Sequence, residues 1–209
     1  MKTFLIGVAL ALVIAAPLAV SGVIQPRPPA GEQARSKVDS TVDFFIYLAG
    51  VRADHYWHKG DYESCARMIM LQTELNPHLI EFYDQAGWLL WSSGQFEKAE
   101  AFYKQGIAHN PEVYLLYYDL GDMYYRTARP SLYNRNPEQS RRLFEQAAEQ
   151  FRLAVERNAP IVIHRQLAHA LHKLGRYDEE RQVLENILRL NPTDGVALRS
   201  LERLKKLGK

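Results

Sequence analysis

Gly60, Tyr62 and Leu75-Asn76-Pro77 recur 34 residues later as Gly94, Phe96 and His109-Asn110-Pro111, and Gly87 recurs as Gly121. A fixed period of that length restricts a chain to stacked helical hairpins, each burying its apolar face only against its neighbours. Such a stack offers an elongated surface rather than a catalytic pocket. Binding is therefore the function to expect.

The spacing inside one period agrees. Tyr83, Ala86, Gly87 and Leu90 fall on one helix face, and Phe96, Ala99, Tyr103 and Gly106 fall on one face of a partner helix. Gly94 stands where the chain must leave the first helix, and glycine accepts the positive φ that such an exit needs. Pro77, Pro111 and Pro192 each follow an asparagine. Proline disfavours helix in the residue before it and suits the first turn of the next, so each Asn-Pro pair separates two helices.

Over roughly residues 46–192 these positions resemble the tetratricopeptide repeat family. Residues 80–111 carry the pattern most fully, as Tyr83, Ala86, Gly87, Leu90, Gly94, Phe96, Ala99, Tyr103 and Asn110-Pro111. The fourth unit repeats it as Leu167, Ala168, Leu171, Gly175, Tyr177, Leu184 and Asn191-Pro192. The resemblance implies an all-α, right-handed superhelical solenoid of about four hairpins with a C-terminal capping helix. The hairpins are expected at 41–77, 78–111, 112–160 and 161–192, and the cap at 193–209. In the first unit Arg52 stands where a core leucine is usual. In the third, an insertion near 126–141 delays the second helix, which is expected to start at Asn136-Pro137 because asparagine caps helices and proline fits their first turn. That insertion is either a surface elongation or a specific contact element.

The N-terminus reads differently. Phe4–Ile24 is almost wholly apolar, and its 21 residues would span about 32 Å as a helix, against a hydrocarbon core of ~30 Å. One hydrophobic helix within residues 1–25 is thus expected, as a single-pass transmembrane anchor or, given Ala19-Val20-Ser21-Gly22, a cleaved signal segment. The expected location is the membrane with the repeats on the extracytoplasmic side, or a secreted or periplasmic one after cleavage. The proline-containing stretch 26–40 is expected to be a semi-extended linker.

A formal net charge of +2 and no Lys/Arg run longer than two leave no footprint for nucleic acid. Cys65, the single cysteine, excludes an intrachain disulfide and reads as a small buried hydrophobe. No phosphate loop, HExxH, GxSxG or paired-cysteine motif occurs, so no enzyme, catalytic residue, cofactor or metal is expected. His55 with His58, and His169 with His172, sit three apart but lack a third ligand.

The resemblance further implies a concave groove lined by the first helix of each hairpin. On this chain that face is Tyr47, Asp54 and Trp57, then Glu81, Asp84, Trp88 and Trp91, then Tyr118, Asp122 and Tyr125 with Arg126, and finally Arg165, His169, His172 and Lys173. All three tryptophans fall there, and the face runs from acidic to basic. Aromatic side chains of this kind are enriched at interfaces, although the same stripe would serve packing between hairpins. Two readings follow: a membrane-tethered scaffold or adaptor that takes a protein or peptide, or an envelope export factor that handles a polysaccharide or lipid-linked substrate. Self-association is left open by the sequence.

Overall fold

Three of the four hairpin turns are closed by a glycine that no other residue replaces without strain. Gly60, Gly94 and Gly175 have φ of 73°, 82° and 71°, the left-handed region that a Cβ disfavours. They lie between helices that the computed structural model places at Ala30–His58 (α1) and Tyr62–Leu75 (α2), Ile80–Ser92 (α3) and Phe96–His109 (α4), and Ile161–Lys173 (α7) and Tyr177–Leu190 (α8). Tyr114–Thr127 (α5) and Pro137–Glu156 (α6) form the third pair, and Gly195–Lys206 (α9) follows. The structure describes residues 30–129 and 136–208, and every regular element among them is helical.

Side-chain caps fix several helix starts. Asp61 accepts from the Ser64 amide at 3.1 Å. Asn136 accepts from the Glu138 and Gln139 amides at 3.0 and 3.4 Å, with Pro137 as the first residue of α6. Asp194 accepts from the Val196 and Ala197 amides at 3.0 and 2.9 Å. Each satisfies amides that a helix start leaves without intrahelical partners.

Consecutive helices pack from α2 through α9, and α3 also touches α5, so neighbouring hairpins stack. The main core is built from Tyr83, Phe102, Tyr103, Leu116, Leu120, Tyr124 and Phe151, all 3% exposed or less. Cys65 is buried in the same cluster. Asn110 joins two repeats: its Nδ2 donates to the carbonyls of Pro77 (2.7 Å) and Gly106 (3.1 Å), and its Oδ1 lies 2.7 Å from His78 Nδ1. A smaller cluster of Ala168, Leu184, Ile187, Ala197 and Leu204 seats α9 on the fourth hairpin. The buried stripe of α9 is Ala197, Ser200 and Leu204, whereas Leu198 and Leu207 are exposed.

Two expectations are corrected. Residues 30–40, expected in an extended linker, are the start of α1, since helix formation needs no proline there and the last N-terminal proline is Pro29. No helix among the described residues is long and apolar enough to cross a membrane, which overturns the single-pass membrane location. The longest of them, α1, carries Asp39, Asp43, Arg52 and Asp54 within its length and has no uncharged span of bilayer thickness. The apolar segment on which that expectation rested, and the expected N-terminal helix, lie outside the described residues. Contacts divide the chain into Met1–Val38 and Asp39–Lys209, and the repeats occupy the second unit.

Candidate partner-binding face

The expected groove residues divide into a surface set and a packing set. Tyr47, Asp54, Trp57, Glu81, Asp84, Trp88, His169 and Lys173 are exposed, with Trp88 at 49% and Trp57 at 47%. Trp57 rests edge-on against Tyr62, 5.3 Å between ring centres. Tyr118 and Tyr125 are half-buried instead, against Phe151 at 6.1 Å and Phe144 at 5.3 Å. Trp91 is also half-buried and donates its indole N–H to Thr127 Oγ1 at 2.9 Å, which ties α3 to α5.

The basic end of the face is largely consumed by ion pairs. Arg165 is bonded to Asp194, the buried cap of α9. His172 Nδ1 lies 2.8 Å from Glu180 Oε2, and Arg203 holds the other oxygen of that fully buried carboxylate at 3.0 Å. Such partners stabilise the closing helix rather than present charge to a ligand. Lys173 and His169 remain at the surface. Burial lowers the pKa of His169, with Arg203 the next cause.

Between the first helices of the second and third hairpins the structure gathers a recess of about 40 Å³. From α3 it takes Asp84, Trp88 and Trp91, at helical spacings of four and three. Tyr103 of α4 forms its floor, and Asp119, Asp122, Met123 and Arg126 of α5 close the far side. Arg126 Nε donates to Asp122 Oδ2 at 2.5 Å. The Tyr103 hydroxyl donates to the Asp84 carbonyl at 3.4 Å, and burial together with Asp119, Asp84 and Asp122 raises its pKa.

Asp119 is the residue that sequence reasoning missed. It is 8% exposed, and its Oδ2 has no hydrogen-bond partner. Burial first, then Asp84 and Asp122, push its carboxyl up to about 8, as expected for a desolvated acid beside like charges. Asp84 sits at the exposed rim, yet partial desolvation and then Asp122 raise it too. Asp119 lies within the Leu116, Leu120, Met123 stripe of α5, and a carboxylate on an apolar face is seldom left buried without a use.

The described helices thus stack as hairpins, with exposed aromatic and charged side chains on first helices such as α1, α3 and α7. Residues 85–132 and 166–194 each match the tetratricopeptide repeat family. Among solved structures, MamA shares the fold at a TM-score of 0.57 and 15% identity, over 78% of this chain and 81% of that one. A second MamA structure aligns at a TM-score of 0.54 and 17% identity, over 74% and 82%. The BBSome complex member BBS4 homolog of Drosophila melanogaster is 26% identical over 141 residues, which is 67% of this chain but 28% of that protein. The chain thus spans little more than a quarter of that relative's length.

Proposed function

We propose that this protein is a scaffold that binds a protein or peptide partner along the first-helix face, centred on Trp88 and the recess between α3 and α5. The carrying observation is Trp88 itself, a large aromatic side chain 49% exposed on a helix whose other face is fully packed. An exposed indole beside the buried Asp119 and the rim carboxylate of Asp84 offers both contact area and polarity, as interface anchors do. Similarity to a BBSome member, a component of a complex by its name, is in keeping with a role in assembly.

The test is site-specific photocrosslinking in cells of the source organism. A photoreactive phenylalanine replaces Trp88 in one variant and Lys104, on the exposed side of α4, in another. A discrete protein adduct from position 88 and none from position 104 is expected. Equal labelling from both positions, or adducts to glycan alone, overturns the assignment.

A further inference from the structure

The recess between α3 and α5 has a chemistry more specific than an aromatic surface. Its far wall holds Asp119, nine-tenths buried, with an Oδ2 that finds no donor within the protein. A buried acceptor without a donor is costly, and this one lines an opening rather than a closed core. Of its two acidic neighbours, Asp122 is already engaged by Arg126 at 2.5 Å. Asp84 faces it from across the opening, and Trp88 stands beside Asp84 one helical turn on. Two acceptors and an aromatic wall thus line the same opening.

We propose that this recess takes the ammonium head of a lysine side chain presented by the partner, with Asp119 and Asp84 as its acceptors and Trp88 against its aliphatic stem. This rests on the binding-face reading above and names the chemistry of what is bound. A lysine ammonium is a compact charge with three rotatable donors, which suits two carboxylates carried by different helices, whereas a guanidinium favours a planar bidentate partner. Nor is it a metal site: among the described residues no three or more His, Cys, Asp or Glu side chains are grouped to hold an ion. An ammonium donates three hydrogen bonds and gains from an aromatic face nearby. Binding is then coupled to proton loss from Asp119, because an adjacent cation favours the carboxylate. The ionisable groups around it are Asp84 from α3, Tyr103 from α4, and Asp122, Arg126 and Tyr118 from its own helix. None of these stands as an unengaged cation over the site.

The test uses the full chain and a short fluorescein-labelled Ala/Ser peptide with one central lysine, beside norleucine and arginine counterparts, read by anisotropy. The lysine peptide is expected to bind at least about tenfold more tightly than the norleucine peptide. Asp119→Asn and the rim variant Asp84→Asn should remove that advantage while circular dichroism stays unchanged. The advantage should grow by up to about tenfold for each unit by which pH is raised toward 8, while the lysine itself stays charged. If lysine and norleucine peptides bind alike and Trp88→Ala weakens both, the face stands and the lysine assignment is wrong. If no peptide binds, both fail. A magnesium titration that displaces the lysine peptide from the wild type, and loses its effect in Asp119→Asn, also overturns the assignment in favour of a metal.

Discussion

Tyr103 lies so close over Gly87 that a Cβ at position 87 would stand 2.4 Å from its ring Cζ. The contact is returned by Tyr83, whose ring would lie 2.8 Å from a Cβ at Gly106. Each helix of the second hairpin thus sinks a tyrosine into the other's glycine. Gly87→Ala should gain up to ~1 kcal/mol of helix propensity yet lose more to overpacking, for a net destabilisation of about 1–3 kcal/mol. Urea midpoints decide it, and a neutral or stabilised variant would show that α3 and α4 separate freely.

Gly94 tests the opposite cause. Nothing lies within 4 Å of a Cβ built there, but φ is +82°. Gly94→Ala should therefore cost about 1–2 kcal/mol from backbone strain alone. The same change at Gly175, with φ +71°, should cost as much and add to it, the two sites being far apart in the stack. Thermal melts of the single and double variants measure this, and a sum well short of additive would point to a relaxed turn.

Asp119 makes stability depend on pH. Its carboxyl titrates at about 8 in the folded chain, against ~3.9 for an ordinary aspartate. Between those values the native state holds a proton that the unfolded chain has released, so this contribution to stability is full below pH ~4 and is lost as pH rises through 8. Relative to wild type, Asp119→Asn should gain about 2 kcal/mol or more between pH 4 and pH 9. Parallel denaturation curves across that range would mean the carboxyl is solvated.

Arg203 should matter more than its half-exposed position suggests. Glu180 is 0% exposed and accepts from Arg203 at 3.0 Å as well as meeting His172. Arg203→Met leaves a buried carboxylate short of one partner, with an expected loss of about 2 kcal/mol at pH 7. Calorimetry should place that loss at the C-terminal end, with hydrogen exchange in α9 rising first.

The two neighbouring tryptophans should behave differently. Trp88→Ala is expected to change stability by less than about 0.5 kcal/mol while weakening partner capture. Trp91→Ala removes a half-buried ring and its bond to Thr127, at a cost of about 2 kcal/mol or more. Equal losses in denaturant midpoint would put Trp88 in the core. A double variant cannot separate binding from folding, because Trp91 holds α3 to α5.

What could be read in the sequence was local. The Gly60, Gly94 and Gly175 turns and the Asn136-Pro137 helix start depend on residues within a few positions, so their chemistry is written in the sequence. Roles set by distant partners were not. Trp91 meets Thr127 36 residues on, and Arg165 meets Asp194 29 residues on. Both look like free groove residues until those partners are in place. Asp119 fails for a different reason. It adjoins Tyr118 in a helix where neighbouring faces differ by one residue, and periodicity resolves faces less finely than that.

Gly121 carries the same clasp as Gly87, with Phe151 in place of tyrosine and 2.9 Å from a Cβ built on it. In the second hairpin the aromatic follows its glycine after a short turn through Gly94; in the third it follows across a longer stretch that begins α6 at Pro137. The ring finds its socket in both. What aligns α5 with α6 is thus the side-chain clasp and not the contour length between them, which makes that connector the natural place to lengthen, cut or re-route this chain without unstacking it.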